Sequence, residues 1–294
     1  MRLLWCSLYA FGLYLLTSCS GTHPGQHDTV NIATFNVEWL GDGNQDRKPR
    51  GDADYLAIAD LMIKTDADVL ALQEIENEAA LRKVLRYMPD YTGLVLAGAG
   101  QQNTAVVWKQ NAVAISSLGP WTGLEVDPGR SRPGFVLSCK KGSFDWIMMV
   151  VHLKSTSRFD STNTLRERSR EVRAEQAKRL VAWSDSVQRA GKEQDVIIAG
   201  DFNDFPGRKQ NATLTALVES SSLHFLTASV RSCRDPKLTA IDHIVASSSA
   251  RARFVVGSER IDNFRDFLDA QTSEQVSDHC PVVVTFTTIG PDND

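Results

Sequence analysis

The feature that most constrains this chain is a recurring short run of β-branched and other apolar residues, too brief for a helix and repeatedly followed by a polar residue. Such runs cover residues 30–35, 69–72, 104–108, 113–117, 135–139, 146–153, 196–199, 241–246, 252–256 and 282–286, and most read as strands. Between them, residues 53–64, 78–87 and 164–188 carry apolar positions at helical spacing. Residues 30–72 read as strand, helix, strand, whereas 104–117 and 135–153 read as hairpins. A simple barrel or a doubly wound sheet fits that order poorly. It predicts an α/β chain with two mixed β-sheets packed face to face and helices outside, the first sheet drawn mainly from residues 30–160 and the second from 190–287.

Composition excludes the extremes. The 294 residues are 42% hydrophobic and 23% charged with a formal net charge of −4, which rules out a disordered chain, a collagen-like repeat and a polytopic membrane protein. Mild acidity argues against a protein that binds nucleic acid by wrapping it in positive charge, but not against an enzyme acting locally on phosphates. Residues 130–191 carry 13 Lys or Arg against 6 Asp or Glu, while residues 52–90 carry 4 against 9. The basic stretch 155–173 reads either as a DNA-backbone grip or, more economically, as a helix face laced with ion pairs, and no aromatic interleaving there suggests stacking of single strands.

Residues 1–19 read as an export signal: Arg2 precedes an apolar run that is short for a bilayer span, and Leu16-Thr17-Ser18-Cys19 resembles the lipobox at which a bacterial lipoprotein is cleaved and acylated. Cys19 would then anchor the protein in a membrane. Ser20 in place of Asp points to an outer-membrane lipoprotein facing the periplasm. Residues 20–29 form a polar tether and 30–287 the single functional domain. In an oxidising compartment Cys139, Cys233 and Cys280 allow at most one intramolecular disulfide, each being as compatible with a buried thiol as with a bridge.

Polar residues gather where the apolar runs end: Asn36, Glu74, His152, Asp201 with Asn203, Asp242, and Asp278 with His279 ahead of the last run. Singly, an Asp after a strand is a cap and a strand His a structural group. Jointly they supply hard oxygen ligands for Mg²⁺, amides to steer a phosphate, and histidines that exchange protons near neutrality, which is what phosphate ester hydrolysis requires.

In order and context, TFNVEW (34–39), LQE (72–74), SRP (131–133), VHLKS (151–155), GDFND (200–204), IDHIV (241–245) and SDHCPV (277–282) resemble the endonuclease/exonuclease/phosphatase family of metal-dependent phosphohydrolases. The resemblance implies a four-layer α/β sandwich. It implies Asn36, Glu74 and Asp278 as Mg²⁺ ligands, with Mn²⁺ as the other candidate ion. It implies His279 as general base held by Asp242, Asp201 and Asn203 positioning water and phosphate, and His152 at a non-bridging oxygen or the leaving group. Arg132 and Lys154 would hold the substrate phosphate.

Having His152 in VHLKS, and lacking a Trp near 237–239, favours the deoxyribonuclease, sphingomyelinase and 5-phosphatase branch over AP endonucleases. One departure stands out: Gln101, Gln102 and Asn103 occupy the place of a Glu that orients the histidine equivalent to His152, so His152 is expected to act as a neutral hydrogen-bond donor. The expectation is a monomeric Mg²⁺-dependent phosphodiesterase acting on nucleic acid, with no protein partner. The rivals are a phosphatase or sphingomyelinase-like phospholipase and, outside enzymes, a silent binding lipoprotein, which the complete residue set disfavours.

Overall fold

The computed structural model describes residues 28–98, 100–157, 159–191 and 193–292. The export signal, Cys6, Cys19 and nearly all of the tether lie outside the described residues. In chain order the elements are β1 (Thr29–Leu40), α1 (Asp52–Lys64), β2 (Val69–Ile75), α2 (Glu78–Leu85), β3 (Tyr91–Leu96), β4 (Asn103–Lys109), β5 (Ala114–Trp121), β6 (Gly134–Lys141) and β7 (Phe144–His152). They continue with α3 (Asn163–Arg189), β8 (Val196–Asp201), α4 (Thr215–Val218), β9 (Leu223–Phe225), β10 (Asp242–Ser247), α5 (Ser248–Ala252), β11 (Arg260–Ile261), α6 (Ala270–Val276) and β12 (Val282–Thr287).

Two six-stranded mixed sheets form, in the orders β11-β12-β1-β2-β4-β3 and β5-β6-β7-β8-β10-β9. Each contains one parallel pair, β1 with β2 and β7 with β8, while the other neighbours run antiparallel. The partition expected from sequence is therefore corrected. The first sheet ends at β4 and regains β11 and β12 from the far end of the chain. The hairpin expected over 104–117 is absent: β4 pairs with β2 and β3, and β5 starts the second sheet on β6. The strand expected at 252–256 is also absent. Ser247 caps α5 by accepting from Ala250 N–H, and beyond that helix Phe254 makes only a bridge to Phe286.

Alternation along each strand builds the layers. On β1, Val30 and Ile32 face the second sheet while Ala33 and Phe35 pack with Tyr55, Ile58 and Met62 of α1. On β7, Trp146, Met148 and Val150 enter the core between the sheets while Met149 and Val151 meet Ala177, Leu180 and Trp183 of α3. Helix, sheet, sheet, helix is the four-layer α/β sandwich. Among the described residues no helix is long and apolar enough to cross a membrane.

Candidate active site

The inner face of the sandwich turns polar at the carboxyl ends of the two parallel pairs. On the second sheet the regular pleat suffices. The alternation that buries Trp146, Met148 and Val150 continues to His152, and that of Ile197 and Ala199 continues to Asp201. Register then aligns three functional groups, His152 beside Asp201 and Asp201 beside Asp242. The intervening Gly200 is required by packing, because a Cβ there would lie 1.9 Å from the carbonyl oxygen of Val151.

His279 arrives from the loop between α6 and β12. Its Nδ1 lies 2.7 Å from Asp242 Oδ2. Ser277 fixes the loop: its hydroxyl donates to the carbonyl of Asn36 at 2.7 Å and accepts from His279 N–H at 3.0 Å. Burial opposes the His279 imidazolium, but the charge and hydrogen bond of Asp242, with Asp201 and Asp278 behind them, raise its pKa well above the ordinary value. For Asp201, burial and the neighbouring Asp242 push the carboxyl up to about 7, against the pull of His279 and the hydrogen bonds from Asn203 and Asn36. His152 is driven the other way, well below its ordinary value, by burial and by the charges of Arg132, His279 and Lys154. Both effects favour the neutral imidazole. Its Nε2 stands 3.6 Å from Asp201 Oδ2 and 3.9 Å from Glu74 Oε1, and its buried Nδ1 has no hydrogen-bond partner among the described residues.

The first sheet needs a deformation. Asn36 follows Val30, Ile32 and Thr34 on the inner face, and its Nδ2 donates to Glu74 Oε1 at 3.3 Å and Asp201 Oδ2 at 3.2 Å. On β2, strict alternation after Val69 and Ala71 presents Gln73, whose Oε1 accepts from Thr34. Glu74 reaches the rim because the ladder slips between Leu72 and Ile75 and its own backbone turns left-handed, with φ 65°. Opposite it, Glu38 and Trp39 are also left-handed, with φ 50° and 55°, and Trp39 N–H donates to Glu74 Oε2 at 3.1 Å. Arg50 pins this bend: its buried guanidinium donates to the carbonyls of Val37, Glu38, Trp39, Gln275 and Val276 at 2.7–3.0 Å. It thereby couples the Glu74 side to α6 and the His279 loop. Sequence reading missed Arg50, since a lone Arg in a polar loop carries no signal.

Asn203 is left-handed as well, with φ 53°; its N–H donates to Asp201 Oδ1 at 2.7 Å and its amide to the carbonyl of Leu153 at 3.0 Å. Asn36, Glu74, His152, Asp201, Asn203, Asp242 and His279 are thus brought together. Arg132 and Lys154 line an adjoining cleft of about 1060 Å³ that opens onto Glu74. Arg132 is held there by donating to Gln102, through Nε to its carbonyl at 2.9 Å and through Nη2 to its side chain. Asp278 sits at the margin, its oxygens 3.6 Å from Arg234 Nη1 and 3.8 Å from His279 Nε2. A disulfide joins Cys233 to Cys280, the residue after His279, while Cys139 is a buried thiol. The open alternatives for the three cysteines resolve in that way. The basic stretch 155–173 resolves toward ion pairing, with Arg168 and Arg170 matched to Glu171 and Glu167.

The donor set suits a hard divalent cation. Asp201, Asp242 and His279 offer ligand atoms within 4.8 Å of one another, and Glu74 joins Asp201 through the single amide of Asn36. Buried Asp201 lies beside Asp242, and these two facts raise its pKa; a divalent cation would balance the paired carboxylates.

The sequence profile of the endonuclease/exonuclease/phosphatase family matches residues 33–279. A direct comparison with curated protein sequences returned no match. Among solved structures, D. rerio TDP2 complexed with a single-strand DNA product superposes with a TM-score of 0.65 at 17% identity, covering 89% of this chain and 100% of that one. An endonuclease/exonuclease/phosphatase protein of Bacteroides vulgatus gives 0.62 at 12% identity over 87% and 98% of the two chains. The human Nocturnin catalytic domain with bound sulfate gives 0.57 at 15% identity over 88% and 94%.

Proposed function

The chain belongs to the endonuclease/exonuclease/phosphatase family and is a metal-dependent phosphoric ester hydrolase, and on that premise we propose that it is a Mg²⁺-dependent phosphodiesterase that cleaves DNA or RNA. The observation that carries this reading is the Asp242–His279 pair at 2.7 Å, set across the rim from Asn36 and Glu74 beside a cleft lined by Arg132 and Lys154. The likeness to D. rerio TDP2 complexed with a single-strand DNA product supports the choice of nucleic acid.

Asp242 holds His279 by Nδ1 and directs Nε2 at the attacking water; above the raised pKa of His279 the unprotonated Nε2 takes the water's proton, and Asp242 stabilises the imidazolium that results. Asp201 and Asn203 align water and phosphate, and neutral His152 donates to a non-bridging oxygen. Arg132 and Lys154 offset phosphate charge from the cleft side. Glu74 and Asn36 would hold the ion, with Asp278 beside His279 as the further candidate ligand, and when bound the ion would supply Lewis-acid stabilisation of the charge that builds on the phosphate. Mn²⁺ suits the same oxygen donors.

Attachment through an acylated Cys19 to the outer membrane, facing the periplasm, is part of the proposal; it rests on residues 1–20, and a Cys233–Cys280 disulfide suits an oxidising compartment. The test incubates residues 20–294 with supercoiled plasmid and with single-stranded RNA, in Mg²⁺ and in EDTA, alongside His279→Ala. Metal-dependent cleavage lost in His279→Ala is expected. No cleavage of either, with hydrolysis of phospholipids or phosphate monoesters instead, would overturn the nuclease assignment and leave the hydrolase class.

A further inference from the structure

One wall of the cleft has no part in the chemistry above. Trp39 is half-buried, with its backbone bonded to Glu74 at 3.1 Å. Phe159, distant in sequence, lies between β7 and α3 and is 63% exposed. Arg47, from the loop after β1, is set between them, its Cζ 4.0 Å from the centroid of the Trp39 ring and 5.1 Å from that of Phe159. All three line the cleft that also holds Glu74, Arg132 and Lys154. Residues 155–173 show no aromatic interleaving, and Phe159, the one aromatic residue there, meets Arg47 and Trp39 from a segment remote in sequence.

The arrangement offers flat π surface to a ligand. Nearby carboxylates are engaged elsewhere: Glu38 pairs with Lys48 at 2.5 Å, and Asp160 lies 3.6 Å from Arg130 and accepts from Ser157 and Ser169. The Arg47 guanidinium is therefore offered to ring faces rather than to a neighbouring acid. An exposed phenyl ring in a polar cleft leaves apolar area in water that a ligand can cover. A ligand matching both a π platform and adjoining cations has a planar ring attached to a phosphate, which describes a nucleotide. A base inside a duplex already has both faces stacked, so only an unpaired base can use the platform.

We propose that Trp39, Arg47 and Phe159 form a stacking subsite for an unpaired nucleobase next to the scissile phosphate, so that the enzyme takes single-stranded or splayed nucleic acid. This inference rests on the nucleic-acid reading above. It is tested by binding, with catalysis switched off. The full mature chain in EDTA is titrated into fluorescein-labelled oligothymidylate and into an abasic strand of equal length, and fluorescence anisotropy gives the two Kd values. Roughly tenfold or tighter binding of the base-bearing strand is expected. Phe159→Ala, at an exposed position, should collapse that ratio toward one while leaving the Kd for the abasic strand unchanged, and Trp39→Leu should do the same. A ratio near one in the wild type, a ratio that survives both substitutions, or no binding to either strand would overturn the proposal. The two readings fail separately. Metal-dependent cleavage without the ratio removes the subsite and keeps the nuclease; the ratio without cleavage keeps the subsite and removes the nuclease.

Discussion

The two parallel strand pairs deliver their functional groups by different means. In β7–β8 the pleat does everything: His152 and Asp201 are the next inward positions after Val150 and Ala199, and antiparallel pairing of β10 sets Asp242 beside Asp201. In β1–β2 the pleat delivers only Asn36. Glu74 reaches the rim through a slipped ladder and a left-handed backbone, faced by left-handed Glu38 and Trp39 and braced by Arg50. Regular geometry suits Asp201 and Asp242, whose side-by-side placement next to the proposed base needs fixed register, while His279 itself comes from the loop before β12. The deformed side carries the carboxylate assigned to the ion, at a cost of about 1–3 kcal/mol for each residue in sparsely populated backbone space. A site assembled this way has one rigid half and one half held by a brace, and each half can be broken separately.

The largest expected effect falls on the rigid half. Asp201→Asn should lower the rate by a factor on the order of 10²–10⁴, the range for a group that positions proton transfer, while stabilising the metal-free protein. The sign follows from linkage. With its folded-state pKa raised to about 7 from 3.8, Asp201 keeps its proton in the fold at pH values where the unfolded chain has lost it. Its contribution to stability therefore falls as pH rises from about 4 to about 7 and is most unfavourable above 7. Removing it should raise metal-free stability at pH 8 by ~2 kcal/mol, flattening that part of the pH profile. Urea midpoints in EDTA at pH 5 and pH 8 check this, and an unchanged or lowered midpoint at pH 8 would contradict it.

The deformed half should yield to Arg50→Ala. Five carbonyls lose their shared donor, and a loss of about 3 kcal/mol is expected from buried acceptors left unsatisfied. Hydrogen exchange should then accelerate around residues 37–39 and 275–276 before it does in β7 and β8. Uniform acceleration in both sheets would show that Arg50 is a general core residue rather than a brace for one side.

This difference also explains what the sequence made legible. Asn36, His152 and Asp201 could be found because apolar alternation runs straight into them, Asp242 because an apolar strand starts from it, and α1, α2 and α3 because their apolar stripes are long enough to show a period. Three-residue β9 and two-residue β11 are shorter than any period, so nothing marks them. The assignment of strands to sheets was misread because β12 returns to β1 from across the chain, and hydrophobic pattern fixes which face of a strand is buried but not which strand is its neighbour. Arg50 and the Trp39–Arg47–Phe159 stack were invisible for a related reason. Each joins segments that are remote in sequence, and the residues involved are individually ordinary.

The central claim is that the ion belongs to Glu74 and Asn36 of the first sheet rather than to the cluster of Asp201, Asp242 and His279, and it is tested most directly by the shift in Tm that Mg²⁺ causes in the wild type, Glu74→Gln and His279→Ala. The shift should vanish in Glu74→Gln and persist in His279→Ala, although both lose activity. A shift that persists in Glu74→Gln and vanishes in His279→Ala would place the ion on Asp201, Asp242 and His279 and contradict the division of labour between the two halves.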